Sequence, residues 1–263
     1  MQEATRVLQE ESGSGCEARP EDHLPFYQEL KQELLEQARK GDRAQLSAPL
    51  KLDHQLLSAV SNVFMLYSLV FRYPSPEVRE ELERQLPHLQ AILEEYGESA
   101  AELPSQTDLE AEYVALFVNN NGFVPAVPYA SYYLDDGQLL GPSTRRLRHM
   151  VHALGLELRE ETHELEDHVY VLLELCAELA GRLSHDASRS FGSQWLAGVL
   201  VFTDDYLRPM LEKLSEGIVR YASLDLYPAA VRSLSRFASE LDGVYASALG
   251  PAQEPSVETD CIL

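Results

Sequence analysis

The chain has 263 residues, 45% of them hydrophobic, and a formal net charge of −22 at pH 7. This length is enough for one large helical domain or two small ones around a hydrophobic core. The acidity disfavours nucleic acid as a partner, because binding a phosphate backbone requires Lys and Arg side chains to displace its counterions. A basic partner fits better, although acidity also serves simply to keep a protein in solution.

Cysteine usage and hydropathy indicate the compartment. Cys16, Cys176 and Cys261 are far apart and form no CxxC motif, so neither a disulfide framework nor a zinc site is predicted. No apolar run approaches the roughly 20 residues of a membrane helix, and no basic-then-apolar signal opens the chain. We therefore expect a cytoplasmic protein without membrane insertion.

The first third of the chain predicts helices with clear boundaries. Residues 1–22 contain few large apolar groups, and we expect a disordered acidic tail there. A short amphipathic helix is predicted over 25–41. Apolar residues three and four apart predict another over 56–71, which Tyr73-Pro74 ends. Ser75-Pro76-Glu77 then predicts a helix start, with a capping serine, a proline in the first turn and an acid at the positive end of the helix dipole.

A long aromatic loop follows the next helix. Thr107 and Glu110 have the spacing of a capping box, which predicts a helix behind them that ends at the run 119–122. Its inward face would consist of Tyr113, Leu116 and Phe117. Loop 119–141 includes "PYASYYLDDGQLLG". Connections of this length are uncommon in compact domains unless they bind something or join domains.

The second part of the chain predicts a short helix over 142–154 and three longer apolar stripes over 165–183, 191–210 and 227–248. Pro209 should bend or split the second stripe, because it removes a backbone donor and crowds the preceding turn. Strand alternation and sequence repeats are absent, so we predict an all-α bundle of about eight or nine helices.

The predicted organisation has two halves. The N-terminal helical half covers 23–155 and contains binding loop 119–141, and the C-terminal helical half covers 156–250. We expect residues 251–263 to form a disordered tail. A cleft between the halves would be lined by the loop.

Two groups of polar residues suggest chemistry. His149 and His152 share a helix face and could hold a metal, but no third ligand is in register, and exposed histidines are the simpler interpretation. His163, Glu164, Glu166, Asp167 and His168 form a denser cluster at the start of a helix. It is compatible with a carboxylate–imidazole general base or with dipole-favouring acids beside a boundary histidine. Because no nucleophile elbow, P-loop or H-E-x-x-H motif is present, we predict no catalytic or metal site.

Three stretches together resemble a known family. "YVALF" at 113–117, "VPYASYYLDDGQLLGPS" at 127–143 and "ELEDHVYVLLELCAEL" at 164–179 are similar to motifs of the TorD/DmsD/NarJ family of molybdoenzyme-maturation chaperones, and the resemblance spans residues 55–245. Ala130 departs from the acid that often precedes the family's serine, and Glu166 replaces the usual proline before Asp-His. Tyr206, Leu207 and Met210 stand in the family's His-Leu-x-x-Trp region.

The resemblance implies a TorD-like fold and a chaperone that is not an enzyme and has no cofactor of its own. Its partner would be the apo catalytic subunit of a molybdopterin-dependent oxidoreductase, bound through the twin-arginine signal peptide or its core. The chaperone would assist cofactor insertion and proofread export. The peptide-binding or client-binding residues would be Tyr113, Leu116, Phe117, Pro128, Tyr129, Ser131, Tyr133, Gly141, Glu164, Asp167 and His168.

Within this set, Glu164, Asp167 and His168 would form a polar hinge, so substitutions of Asp167 or His168 should weaken client maturation more than folding. Asp135 and Asp136 either meet arginines of the peptide or form an ordinary turn. The alternatives are a helical adaptor for an unrelated protein and, with less support, a metal-dependent hydrolase.

Overall fold

The computed structural model describes residues 20–42, 50–99, 102–158, 162–185 and 192–251, which form nine helical segments and one pair of short strands. The prediction of an all-α bundle of eight or nine helices is confirmed. In chain order the elements are α1 (Pro20–Lys40), β1 (Leu50–Leu52), α2 (His54–Val70), α3 (Pro76–Glu95), α4 (Gln106–Tyr113, continued by a π-helical turn, Val114–Val118), α5 (Ala130–Leu134), α6 (Pro142–Ala153), α7 (Val169–His185), α8 (Gly192–Val201, a π-helical turn Phe202–Leu207 and Arg208–Tyr221), α9 (Leu226–Ala248) and β2 (Leu249–Pro251). No helix in these ranges is long and apolar enough to span a membrane.

Helices α2, α7 and α9 form the centre of the bundle. Ser61 on α2 donates a hydrogen bond to the carbonyl of Ala177 on α7 at 2.8 Å, and Tyr67 on α2 donates to Ser233 on α9 at 2.9 Å. The buried apolar side chains between residues 27 and 249 belong to one cluster. Both predicted halves therefore contribute to a common core, and the boundary at residue 155 stays a prediction.

The helix starts follow local capping chemistry. Ser75 accepts a hydrogen bond from the amide of Val78 at 3.3 Å and precedes Pro76, as predicted. The capping prediction at Thr107 was wrong by two residues. Ser105 is the cap of α4: its hydroxyl accepts the amide of Asp108 and donates to the Asp108 carboxylate, at the same spacing as Thr107 and Glu110.

Both ends of the described chain extend beyond the predicted elements. Helix α1 begins at Pro20, so the last part of the tail predicted over 1–22 is helical, and residues 1–19 lie outside the described part. Strands β1 and β2 pair antiparallel, with Leu52 opposite Leu249. Three-residue strands are too short to show alternation in a sequence. Pro251 belongs to β2 rather than to a tail, and residues 252–263 are not described.

The bend predicted at Pro209 takes the form of the π-helical turn just before it. This turn carries two acids that bind α1. Lys31 lies 2.7 Å from Asp204, and Arg39 donates to Asp205 at 3.0 Å. Helix α1 is therefore held on the bundle by ion pairs as well as by its buried apolar side chains.

Candidate functional site

Loop 119–141 is fixed to the segment that precedes α7. Tyr129 and His168 form an isolated antiparallel bridge. The amide of Ala130 donates to the carbonyl of Asp167 at 2.9 Å, and the amide of Val169 donates to the carbonyl of Pro128 at 2.8 Å. Two of the three stretches that carry the family resemblance, 127–143 and 164–179, therefore meet in space.

The side chain of Asp167 strengthens this connection from inside the protein. It is fully buried, and its Oδ2 accepts hydrogen bonds from the amide of Ser131 at 2.8 Å and from Thr144 Oγ1 at 3.3 Å. Asp167 Oδ1 and Ser131 Oγ have no partner among the described residues. Asp167 thus positions α5 and α6 on the core.

His168 is also buried, at 1% exposure, and its ring contacts the rings of Tyr129 and Tyr170. Its Nδ1 accepts a hydrogen bond from the amide of Tyr170 at 3.3 Å, and burial lowers its pKa to about 3. The ring is therefore neutral at pH 7. Asp167 and His168 are both buried in this structure, so we expect their substitution to cost folding stability, and their role as a polar hinge that binds a client stays a prediction.

The end of loop 119–141 is hydrogen-bonded to the start of α6. Asp135 accepts hydrogen bonds from the amide of Ser143 at 2.9 Å and from its hydroxyl at 2.8 Å, and so caps α6 from outside the helix. A Cβ at position 141 would lie 2.3 Å from Asp135 Oδ2, which explains Gly141. Asp136 has φ 51°, a turn conformation. The turn interpretation of Asp135 and Asp136 is therefore the better one.

Most of the predicted binding residues face the core. Leu116 and Phe117 are buried, and the ring of Phe117 packs against Tyr113 at 4.9 Å and Tyr227 at 5.3 Å. In this conformation they line the interior rather than a groove, and a contact with a client stays a prediction for them. The predicted residues that are buried are Tyr113, Leu116, Phe117, Pro128, Ser131, Gly141, Asp167 and His168, and those that are partly exposed are Tyr129, Tyr133 and Glu164.

Sequence reasoning missed an exposed apolar surface around the end of α4, which we call the α4 patch. It consists of Tyr73, Val114, Val118, Phe123 and Tyr221, each between 37% and 54% exposed. The rings of Phe123 and Tyr221 meet at 5.3 Å. The π-helical turn carries Val114 and Val118, four residues apart, on the side opposite to the buried face. Exposed apolar side chains that lie near one another commonly mark an interaction site.

The α4 patch borders the polar end of the loop. Tyr73 packs edge-on against Tyr113 at 5.3 Å. Tyr129 donates a hydrogen bond from its hydroxyl to Glu164 Oε2. The carboxylate of Glu164 also helps to raise the pKa of Tyr113, after burial as the larger cause. An exposed apolar surface and a partly buried carboxylate are thus brought together.

A groove of about 750 Å³ separates α2 from α3 and ends at the ion pair between Arg72 and Glu174. Its lining includes Val63, Leu69 and Ile92. For the metal alternative, the described ranges contain no group of three His, Cys, Asp or Glu residues that could hold an ion.

Comparison with known proteins shows which family this chain resembles. The family profile described as nitrate reductase delta subunit matches residues 75–216, more than half of the chain. The chaperone protein TorD of Vibrio cholerae O1 is 29% identical over 175 residues, which cover 62% of this chain and 76% of that protein. TorD of Vibrio vulnificus is 23% identical over 173 residues, which cover 63% and 80% of the two chains.

Among solved structures, one described as a redox enzyme maturation protein from Archaeoglobus fulgidus is 20% identical, with a TM-score of 0.45. The match covers 68% of this chain and 93% of that one.

Proposed function

This chain belongs to the nitrate reductase delta subunit family, the family of TorD and NarJ, and from that premise we propose that it is a maturation chaperone for a molybdopterin-dependent oxidoreductase. It binds the signal peptide or another part of the apo catalytic subunit, assists insertion of the cofactor and delays export until insertion is complete. The role requires binding and release but no chemical step, so the chaperone needs neither a nucleophile nor a resident metal.

The α4 patch is the observation that carries this proposal. A signal peptide has a basic start and an apolar middle, so its receptor needs exposed apolar side chains beside negative charge. Phe123 and Tyr221 supply aromatic surface, Glu164 lies at the border, and the chain as a whole carries a net charge of −22. Each aromatic anchor at such an interface contributes about 2 kcal/mol when it is a hot spot.

Binding of a leader peptide tests the proposal. Calorimetry of the full chain with the leader of a co-encoded molybdoenzyme should give a preference over a scrambled peptide of the same composition. A helical adaptor for an unrelated protein would bind both peptides alike. Equal affinity for the two would therefore overturn the proposal.

A matched pair of variants tests the location. Phe123→Ala should weaken leader binding by about tenfold or more while the far-UV circular dichroism is unchanged, because the side chain is 46% exposed. Leu24→Ala removes an exposed leucine of α1 and should have no effect. Unchanged affinity in Phe123→Ala would show that the leader binds elsewhere on the chain.

A further inference from the structure

The turn 136–140, which we call the tip, lies just before α6. All of its residues are exposed. Its base is closed by Asp135, which accepts hydrogen bonds from the amide and the hydroxyl of Ser143. The amide of Gly137 donates to the carbonyl of Tyr132 at 2.8 Å. The tip is therefore an ordered turn that stands out from the bundle.

The tip holds apolar side chains in solvent. Leu139 and Leu140 are 44% and 52% exposed, and Tyr132, whose ring lies beside Gly137, is 39% exposed. Leu140 has φ 57°, a left-handed conformation that is unfavourable for leucine. Arg145 donates a hydrogen bond to the carbonyl of Leu140 at 3.1 Å and so supports this conformation. Two adjacent leucines are thus fixed where water surrounds them, which costs free energy unless something covers them.

Positive charge lies next to the tip. Residues 137–156 contain three Arg and two His but no Asp or Glu, in a chain whose net charge is −22. Arg148 is paired with Glu166 at 2.5 Å. Within the described ranges, Arg145 and Arg146 form no ion pair and donate instead to a backbone carbonyl and a serine hydroxyl. Two uncompensated guanidinium groups therefore flank the exposed leucines.

The shape of the tip favours a lipid surface over a protein surface. Three apolar side chains on a protruding turn cover far less than the roughly 800 Å² per partner of a stable protein interface. A bilayer needs no matching shape, because leucines enter between headgroups, a tyrosine lies at the boundary and guanidinium groups meet lipid phosphates. The acids elsewhere on the chain are screened beyond about 8 Å at physiological ionic strength.

We propose that the tip is a reversible docking site for the surface of an anionic phospholipid bilayer. Leu139 and Leu140 enter the headgroup layer, and no part of the chain crosses the membrane. Arg145 and Arg146 contact lipid phosphates, whereas Asp136 in the tip opposes them and keeps the docking weak. This inference goes beyond the proposed function and does not depend on it, because it concerns where the protein resides rather than what it binds as a client.

Cosedimentation of the full chain with protein-free vesicles tests the docking. The vesicles contain phosphatidylcholine alone or equal parts of phosphatidylcholine and phosphatidylglycerol, and the wild type should bind the second kind more tightly. The double variant Leu139→Asn/Leu140→Asn should bind them about tenfold or more weakly. Asparagine tolerates the left-handed conformation better than leucine, so the fold should be preserved. Leu24→Asn changes an exposed leucine of α1 and should bind like the wild type.

Charge variants test the role of the arginines with opposite signs. Arg145→Gln should weaken binding to the phosphatidylglycerol vesicles about fivefold, whereas Asp136→Asn should strengthen it. Arg84→Gln makes the same charge change at an exposed arginine of α3 and should have no effect. On vesicles of phosphatidylcholine alone, all three variants should bind like the wild type. Circular dichroism verifies that every variant is folded.

The docking inference is overturned if the wild type does not bind the phosphatidylglycerol vesicles, or if the double asparagine variant binds them equally well. Binding to natural membranes that contain their proteins, without binding to protein-free vesicles, would assign the tip to a membrane protein and also overturn the lipid surface. Opposite effects of Arg145→Gln and Asp136→Asn, seen only with anionic lipid, would support the inference, because a purely structural role of the tip would not depend on the lipid charge.

Discussion

Mild acid should destabilise the protein through His168. The ring is 1% exposed, and burial lowers its pKa from 6.5 to about 3. The unfolded chain therefore takes up a proton near pH 6.5, whereas the native state does so only near pH 3. The stability that depends on a neutral His168 is fully present above pH 6.5 and is lost progressively as the pH falls from 6.5 to 3. At pH 5, which is 1.5 units below the pKa of 6.5 in the unfolded chain, the loss is about 2 kcal/mol, because each pH unit corresponds to about 1.36 kcal/mol.

Urea unfolding at pH 7.5 and at pH 5, followed by far-UV circular dichroism, measures this loss. His168→Asn should be less stable than wild type at pH 7.5, and its further loss on acidification should be smaller by about 2 kcal/mol. His88→Asn removes an exposed histidine of α3 and should keep the full wild-type dependence. An equal acid loss in wild type and His168→Asn would refute the reasoning.

Three substitutions test the structure around the loop. Gly141→Ala forces Asp135 away from its cap on α6 and should cost about 1–2 kcal/mol in urea unfolding. Gly217→Ala places a Cβ 2.1 Å from the backbone carbonyl of Pro125, so the loop must shift; we expect a loss of about 1–3 kcal/mol, and an unchanged melting temperature would contradict the close approach. Glu112 accepts hydrogen bonds from the backbone amides of Ser223 and Leu224, in the connection after α8. Glu112→Ala removes this acceptor and should lower the free energy of unfolding by about 1–3 kcal/mol, and Glu112→Gln should restore part of it.

The sequence predicts the elements whose causes are local. Ser75 and Pro76 start α3 through their own chemistry, and the apolar stripes that became α7 and α9 repeat within a few residues. The disturbance at Pro209 is local too, because a missing donor affects only the preceding turn. Such signals need no knowledge of the rest of the molecule.

The candidate site depends on contacts that the sequence does not display. Phe117 has the same apolar pattern whether it lines a groove or the core, and only the packing of Phe71 and Tyr227 on its ring decides the matter. Asp167 likewise reads as an exposed acid in a first turn. Its burial follows from a hydrogen bond to the amide of Ser131, 36 residues away. The family motif identified two segments that meet in space, but it did not show that most of their motif residues are buried.

The α4 patch escaped prediction for a related reason. Val114 and Val118 fit an apolar helix stripe, and nothing in their spacing shows that a π-helical turn carries them to the surface. Their exposure becomes apparent only when the inward positions are seen to be filled by Tyr113 and Phe117.

The π-helical turn at Phe202–Leu207 sets the angular phase of α8. An α-helix advances by about 100° per residue, so deleting one residue from this turn and regularising it would rotate the two ends of α8 relative to each other by about that amount. Gly217 would then no longer face Pro125, and the Asp204 carboxylate would turn away from Lys31. One residue in a single turn therefore keeps loop 119–141 and helix α1 in their positions along α8.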